Sequence, residues 1–165
     1  MSISTFMQRT VLFAAIMLTA ACGFHLRGIA NLPFKSVLIQ GSAPSISGQL
    51  SESLEVSGVK VVTVAEQAEL QLELLGEASE KRILSLSGRG LVQEYELFYR
   101  VSFRMREPAS PLWGAVQTIE RRRDFAYDDT QVLAKQLEEV QIYTDMRNDV
   151  VRELMHHLAA QKISQ

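Results

Sequence analysis

Residues 91–106 read LVQEYELFYRVSFRMR, and the alternation in this stretch decides the fold. One face of the stretch carries mostly apolar side chains: Leu91, Gln93, Tyr95, Leu97, Tyr99, Val101, Phe103 and Met105. The other face carries mostly polar or charged side chains: Val92, Glu94, Glu96, Phe98, Arg100, Ser102, Arg104 and Arg106. A period of two is typical of a β-strand with one buried face and one polar face. The stretch therefore predicts a long strand and a sheet that is apolar on one side only.

The segment after this strand predicts a hairpin and a long helix. Residues 107–111 read EPASP, which favours a turn, and residues 112–127 are the predicted returning strand. Asp128 and Asp129 are suitable N-cap residues for a helix over residues 130–160. The apolar stripe of that helix runs through Leu133, Leu137, Val140, Thr144, Arg147, Val151, Leu154 and Leu158.

The segment before the long strand begins with a predicted strand and a short predicted helix. Residues 34–40 are rich in apolar and β-branched side chains and follow Pro33, which favours a strand. Leu50 and Leu54 lie one helical turn apart and predict a helix over residues 45–56. The second strand is predicted to run through residues 59–64, 70–74 and 82–87.

These elements follow the order β-α-β-β-β-α. Because the apolar face of the sheet needs cover, we expect both helices to pack on that face. The predicted fold class is therefore an α/β (α+β) two-layer sandwich, with two helices on one face of a mixed four-stranded sheet. In the second strand, Leu84 and Leu86 are expected to continue the apolar face that Leu70, Leu72 and Leu74 begin.

The amino-terminal segment predicts export and lipid attachment. Arg9 and the apolar run over residues 11–18 are typical of a secretory signal peptide, because the run is too short to span a bilayer. The small residues 19–21 directly before Cys22 resemble the bacterial lipobox, whose cysteine is acylated before cleavage. We therefore expect a lipoprotein signal peptide over residues 1–21, a lipidated tether over residues 22–33 and one domain over residues 34–165.

The lipobox resemblance implies a covalent lipid on Cys22. The modification supplies an N-acyl chain and an S-diacylglycerol group, and two or more acyl chains anchor a protein stably. Gly23, where some lipoproteins have aspartate, implies transfer to the outer membrane. Two alternatives stay open, a conventional signal peptide and a buried free cysteine that packs as a small hydrophobe.

Composition and motifs exclude several classes of function. The formal net charge is −2, and removal of residues 1–21 takes away only one arginine, which argues against a nucleic-acid partner. Cys22 is the only cysteine, so no intrachain disulfide can form. The sequence has no Gly-x-Ser-x-Gly motif, P-loop or dinucleotide-binding motif. We expect a non-enzymatic domain with no cofactor except the lipid on Cys22.

The histidines and one internal arginine have no assigned role. His25 follows Cys22 closely, and His156 and His157 are neighbours near the end of the predicted helix. Adjacent helical side chains point about 100° apart, so these two cannot bind one metal ion without further ligands. Arg147 interrupts the apolar stripe, where its charged end can reach solvent or pair with an acid. We expect no metal site.

Basic side chains are the candidate binding residues of the chain. They are Arg89, Lys135, Arg100, Arg104, Arg121, Arg122 and Arg123. One interpretation is that the arginines of the predicted hairpin form cross-strand ion pairs with Glu94 and Glu96. The other interpretation is that part of this surface binds phosphate groups of a lipid, because a guanidinium offers two parallel hydrogen bonds to a phosphate.

Five short motifs occur in order along the chain. They are Cys22-Gly23-Phe24-His25-Leu26-Arg27-Gly28, Gly58-Val59, Glu94-Tyr95, Arg123-Asp124-Phe125 and Leu133-Ala134-Lys135. Together they resemble the LPS-assembly lipoprotein family, LptE, over essentially the whole chain after the leader. The resemblance implies a sandwich of two helices and a mixed four-stranded sheet, in agreement with the pattern above.

The resemblance also implies a function in lipopolysaccharide transport. Members of the family form a one-to-one complex with the outer-membrane β-barrel LptD, plug its lumen, assist its assembly and help to deliver lipopolysaccharide to the outer leaflet. The chain would then lie within the barrel lumen, facing the periplasm and attached to the inner leaflet of the outer membrane through Cys22. Lys135, by its Leu-Ala-Lys context, and Arg89, by its place in a turn, match family positions implicated in lipopolysaccharide contact.

Two other classes of function stay open from the sequence. A free-standing outer-membrane lipoprotein that binds a small hydrophobic ligand would need a cavity in the sandwich. A lipid-anchored hydrolase would need an arrangement of nucleophile and base, and the sequence offers none.

Overall fold

A long antiparallel hairpin forms the centre of the structure, and the alternating stretch supplies one of its two strands. The computed structural model describes residues 32–161 of the chain. Its strands are β1 (Ser36–Gly41), β2 (Lys60–Val62), β3 (Leu70–Leu86), β4 (Val92–Arg106) and β5 (Gln117–Ala126). Its α-helices are α1 (Pro44–Val56) and α2 (Val132–Ala159), and single 3₁₀ turns lie at Ala65–Gln67 and Asp129–Gln131.

The predicted signal peptide and most of the predicted tether lie outside the described residues. This holds for Cys22 and His25, so lipid attachment stays a prediction. Phe34, at the predicted start of the domain, is 3% exposed and packs in the core.

The sheet has five strands in the order β2-β1-β3-β4-β5, so the predicted count of four is wrong. β1 pairs in parallel with both β2 and β3, and the remaining pairs are antiparallel. The predicted second strand is in fact two strands on opposite sides of β1, because the chain crosses past the start of β1 between them. Ser36 fixes this crossing: its Oγ donates to the Gln67 carbonyl at 2.8 Å, and its own carbonyl accepts from the Glu69 N–H at 3.1 Å.

Both helices pack on the same face of the sheet, and the fold is a two-layer α+β sandwich as predicted. The inward positions of β4 from Leu97 to Met105 are each at most 6% exposed, which confirms the alternation. They share one core with Leu50 of α1 and Leu154 of α2, both 0% exposed. Burial of each such side chain stabilises the fold by about 1.5–3 kcal/mol.

A β-bulge in β3 exchanges the two faces of the strand. The alternating leucines of residues 70–74 are at most 2% exposed, and the pairing with β4 then slips by one residue between Leu74 and Gly76. Beyond the slip, the side chains on the helix side of β3 are those of Glu77, Ser79, Lys81 and Ile83, which lie opposite inward residues of β4. The prediction for Leu84 and Leu86 is therefore wrong, and they are 46% and 54% exposed.

Helix α2 extends far beyond α1. The two helices have 28 and 13 residues, which correspond to about 42 and 20 Å at 1.5 Å per residue. Gln49 of α1 donates to Asn148 at 2.5 Å, so α1 lies beside the second half of α2. That half supplies the buried residues Met146, Val150, Val151, Leu154 and Leu158. The predicted stripe is confirmed at Val151, Leu154 and Leu158 but did not include the buried Met146 and Val150. It is wrong for Leu133, Leu137 and Val140, which are 65–72% exposed.

Gly41 allows the close approach of β1 to β3 at the point where the chain turns into α1. Its φ is +112°, in the left-handed region that favours glycine. A Cβ at this position would lie 2.0 Å from the Leu74 carbonyl oxygen. The same oxygen accepts a hydrogen bond from the Ser42 N–H at 2.8 Å, so it cannot move away without the loss of that bond.

Candidate functional site

One end of the molecule exposes a concentration of large apolar side chains. We call it the distal end and define it as residues 83–93, around the β3–β4 turn, together with residues 132–140 of α2. Its exposed apolar residues are Ile83, Leu84, Leu86, Leu91, Val132, Leu133, Leu137 and Val140. Large exposed apolar patches on a protein mark places where it binds something else.

Contacts between α2 and β3 hold the two parts of the distal end together. The Tyr143 hydroxyl donates to the Glu80 carbonyl at 2.9 Å, and Lys81 forms an ion pair with Glu139. Burial raises the pKa of Tyr143, which favours the protonated hydroxyl that donates this bond. The helix is therefore attached to the hairpin along the side that faces β3, while its exposed leucines point elsewhere.

Arg89 lies at the tip of the β3–β4 turn. Ser87 closes the turn, because its carbonyl accepts from the Gly90 N–H at 2.9 Å and its Oγ accepts from the Leu91 N–H at 3.1 Å. Gly90 has a φ of +78°, which the turn requires. Within the described part of the chain, the exposed side chain of Arg89 has no hydrogen bond or ion pair. Its guanidinium is free to meet an anion from outside.

Lys135 is much less accessible than the sequence prediction assumes. Its side chain is 18% exposed, and its Nζ forms an ion pair with Glu138 at 2.8 Å. The same Nζ lies 5.4 Å from the centre of the Phe125 ring, within the range of a cation–π interaction. An external phosphate would have to share this partly covered ammonium group with Glu138.

The three consecutive arginines of β5 are all paired within the protein. Arg122 points to the outer face of the sheet and contacts Glu96 at 3.1 Å, so the predicted cross-strand ion pair is confirmed there. Arg121 and Arg123 point to the other face and contact α2 instead, at Glu153 (3.3 Å) and Asp149 (2.7 Å). These two pairs attach β5 to the second half of α2.

The outer face of the sheet carries alternating acids and bases. Arg100 pairs with both Glu120 and Glu80, at 3.1 Å for Glu80, and Arg104 pairs with Glu73. Hydrogen bonds to Glu80 from Arg82, and then from Arg100, hold the pKa of its carboxyl below the usual value. Most of the charge on this face is therefore compensated locally.

A polar cluster that sequence reasoning missed lies between the sheet and the helices. Glu77 accepts a hydrogen bond from the Tyr99 hydroxyl at 2.8 Å and from the Ser45 N–H at 3.2 Å. Burial, with Glu77 as a further cause, raises the pKa of Tyr99, and nearby Arg147 opposes that rise. The buried Arg147 Nε has no hydrogen-bond partner among the described residues. The sequence signals were Arg147 within the apolar stripe and a carboxylate in β3, but the orientation of that carboxylate depends on the bulge.

The two helix-end histidines do not converge. His156 is exposed, whereas His157 lies 3.8 Å from Glu153 and packs edge-on against the Phe103 ring. Residues 32–161 contain no group of three or more potential ligands that could hold a metal ion. Within the same range, no helix is long and apolar enough to cross a membrane.

Comparison with known proteins places these features in one family. The sequence model described as "LptE: Lipopolysaccharide-assembly" matches residues 34–158. The "LPS-assembly lipoprotein LptE" of Pectobacterium atrosepticum is 27% identical over 158 residues, which cover 93% of this chain and 80% of that protein. The protein of the same name from Yersinia enterocolitica is 26% identical over 149 residues, and the match covers 87% of this chain and 71% of that protein.

Two solved structures share the fold. Lipoprotein B of Nitrosomonas europaea superimposes with a TM-score of 0.73 at 36% identity, and the match covers 84% of this chain and 91% of that one. The rare lipoprotein B of Shewanella oneidensis gives a TM-score of 0.68 at 28% identity, over 76% and 94% of the two chains.

Proposed function

The chain belongs to the LptE lipopolysaccharide-assembly family, which is not a family of enzymes, and from that premise we propose that it plugs the LptD barrel and binds lipopolysaccharide there. In this proposal the protein is attached to the outer membrane through acylated Cys22 and faces the periplasm. It forms a one-to-one complex with LptD, assists the assembly of the barrel and presents its distal end to lipopolysaccharide.

The exposed distal end is the observation that carries the lipopolysaccharide proposal. Lipopolysaccharide joins phosphate groups to acyl chains, so a site for it needs cationic and apolar groups close together. The distal end offers Arg89 at the tip of the turn, with exposed Leu86 and Leu91 on either side of it in the sequence. A guanidinium can bind a phosphate through two hydrogen bonds while neighbouring leucines contact an acyl chain.

The candidate residues differ in how available they are to bind a phosphate. Arg89 is the preferred phosphate ligand, because no group in the described residues competes for it. Lys135 is a second ligand, less accessible than Arg89 and already paired with Glu138. Arg100 and Arg104 on the outer face, and the arginine run of residues 121–123, serve mainly to hold the fold together through their ion pairs.

The outer face of the sheet supports the plug proposal. The interior of an outer-membrane barrel is polar, and a protein inside it must present polar surface on several sides. Such a surface is present around Arg100, because its charge is compensated by Glu80 and Glu120 within the protein itself. The alternative of a small hydrophobic ligand needs space inside the sandwich, and in residues 32–161 that space holds Leu50, Tyr99 and Phe103, each at most 1% exposed.

Isolation of the native complex tests the plug proposal. An affinity-tagged full-length chain would be extracted from the outer membrane in mild detergent, and the mass and composition of the complex would be determined. We expect one copy of this chain with one copy of LptD. A monomer without a barrel would contradict the proposal.

A charge reversal at the tip tests the lipopolysaccharide proposal. We expect Arg89→Glu to weaken binding of purified lipopolysaccharide about tenfold, since a hydrogen bond to a charged group contributes about 1.5–3 kcal/mol. Lys60→Glu is the matched control, because it makes the same change of charge at an exposed lysine in β2, far along the sheet from the turn. Equal losses in the two variants would show that only net charge matters.

A further inference from the structure

The end of the sheet opposite the distal end carries the β4–β5 loop and the start of the described chain. We call this the proximal end and define it as residues 32–36 and 107–116. Leu70, which pairs with Val37 of β1, lines one groove with Trp113 and Leu112 of the loop. The groove is open and has a volume of about 420 Å³. The amino-terminal segment and the loop therefore meet at the same end of the sheet.

Trp113 contacts two arginines of β4. The guanidinium carbon atoms of Arg104 and Arg106 lie 4.7 and 4.5 Å from the centre of its ring, which is close enough for cation–π stacking. Glu73 binds Arg104, and the Arg106 Nε donates to Gln71 at 2.8 Å, so both guanidiniums are fixed to β3. The indole is thus oriented by the sheet.

The loop is also fixed by its backbone and exposes apolar side chains. The Gly114 N–H donates to the Met105 carbonyl at 2.9 Å, which returns the chain beside β4. Leu112, which lines the groove with Trp113, is 76% exposed, and Val116 at the end of the loop is 59% exposed. Tryptophan, arginine and exposed aliphatic side chains together are typical of protein surfaces that lie at a membrane–water interface.

We propose that residues 107–116 rest on the phospholipid surface of the membrane, with Leu112 and Trp113 at the level of the headgroups. The inference rests on the proposed lipid anchor at Cys22. Leu32 follows Cys22 by ten positions, and an extended chain spans at most about 3.6 Å per position, so the anchor holds the proximal end within about 36 Å of the bilayer. Arg104 and Arg106 stack on the indole and hold it in place at this surface.

Trp113 provides the test, because it is the only tryptophan of the chain. Full-length acylated protein would be reconstituted in vesicles of phosphatidylethanolamine and phosphatidylglycerol, with or without phospholipids brominated near the top of the acyl chains. Bromine quenches tryptophan only on close contact. We expect brominated vesicles to reduce the emission about twofold, since interfacial indoles sit at headgroup level.

Two serine substitutions test whether the loop, and not the distal end, brings the protein into contact with the bilayer. Leu112→Ser is expected to remove most of the quenching, because it deletes the apolar side chain that enters the interface beside Trp113. Leu137→Ser, at a leucine that is 67% exposed at the distal end, is the matched control and is expected to leave the quenching unchanged. Equal quenching in both variants would overturn the proposed contact.

Flotation of the vesicles distinguishes this inference from the proposed anchor. Protein that floats with the vesicles but shows the same emission with and without bromine would overturn the loop contact and leave the anchor intact. Protein that does not float would overturn both. The one-to-one complex with LptD is measured separately and depends on neither result.

Discussion

Loss of the Glu77 carboxylate should destabilise the fold more than any other single change to a charged side chain in β3. Glu77→Ala removes the acceptor of two hydrogen bonds, from the Tyr99 hydroxyl and the Ser45 N–H. A hydrogen bond to a charged group contributes about 1.5–3 kcal/mol, so the loss of two such bonds should lower the unfolding free energy by about 3–6 kcal/mol.

Urea unfolding measures this effect. The protein would start at residue 22 with Cys22→Ser, and the transition would be followed by circular dichroism. Glu55→Ala, at an exposed glutamate of α1, is the control and should change the unfolding free energy by less than about 0.5 kcal/mol. Tyr99→Phe should cost about 1.5–3 kcal/mol, because it removes one of the two bonds.

A double-mutant cycle decides whether the cluster acts as a unit. If Glu77 and Tyr99 stabilise the fold through their mutual bond, the double variant should lose less than the sum of the two single variants, by about 1 kcal/mol or more. Strict additivity, or a loss for Glu77→Ala as small as that of the Glu55→Ala control, would refute the reasoning.

Three further predictions concern backbone, helix and pH. Gly41→Ala should cost more than about 2 kcal/mol in urea unfolding, because its Cβ would meet the Leu74 carbonyl oxygen at a positive φ. Gly48→Ala should instead stabilise by about 0.5–1 kcal/mol in the same assay, since its Cβ would meet nothing within 4 Å in α1. The folded protein retains the Tyr99 proton more strongly than the unfolded chain, so stability should fall as pH rises above about 10. Tyr99→Phe should show a shallower alkaline loss.

Strand β4 was predictable because its pattern and its environment agree. From Leu97 to Met105 each inward position is apolar and each is buried, so a period of two in the sequence was enough to place the strand. Both helices could be assigned to one face for the same reason, since only that face of the sheet needs cover. The unbroken pattern of one strand thus determined the layer architecture.

The faces of β3 could not be predicted in the same way. Its leucines alternate only as far as Leu74, and the adjacent pair Leu74-Leu75 was the one sign that the register slips. A bulge depends on which residues of the neighbouring strand lie opposite, and that pairing is not encoded in the local pattern. The division of the predicted second strand into β2 and β3 likewise depends on the long-range bond between Ser36 and Gln67.

The sequence predicted which residues are candidates for binding, but not which partners most of them contact within the protein. The turn position of Arg89 follows from its glycine-rich neighbours, so its exposure could be inferred. The pairing of Arg121 and Arg123 with α2 could not, because the acids at Glu153 and Asp149 lie far away in the sequence. The first half of the α2 stripe is exposed because α1 lies only beside the second half of α2. The apolar periodicity of α2 itself carries no information about where α1 begins and ends.

The base and the tip of the β3–β4 hairpin carry two different sets of sequence constraints. Residues towards the base, such as Leu74 and Val101, fill the core, so substitutions there change the stability of the whole domain. Residues near the tip, such as Leu84 and Leu86, are exposed and contribute little to that core. The tip of the hairpin can therefore accumulate substitutions and adapt to a changing ligand or partner while the base preserves the fold. Selection can act on recognition and on folding independently within a single pair of strands.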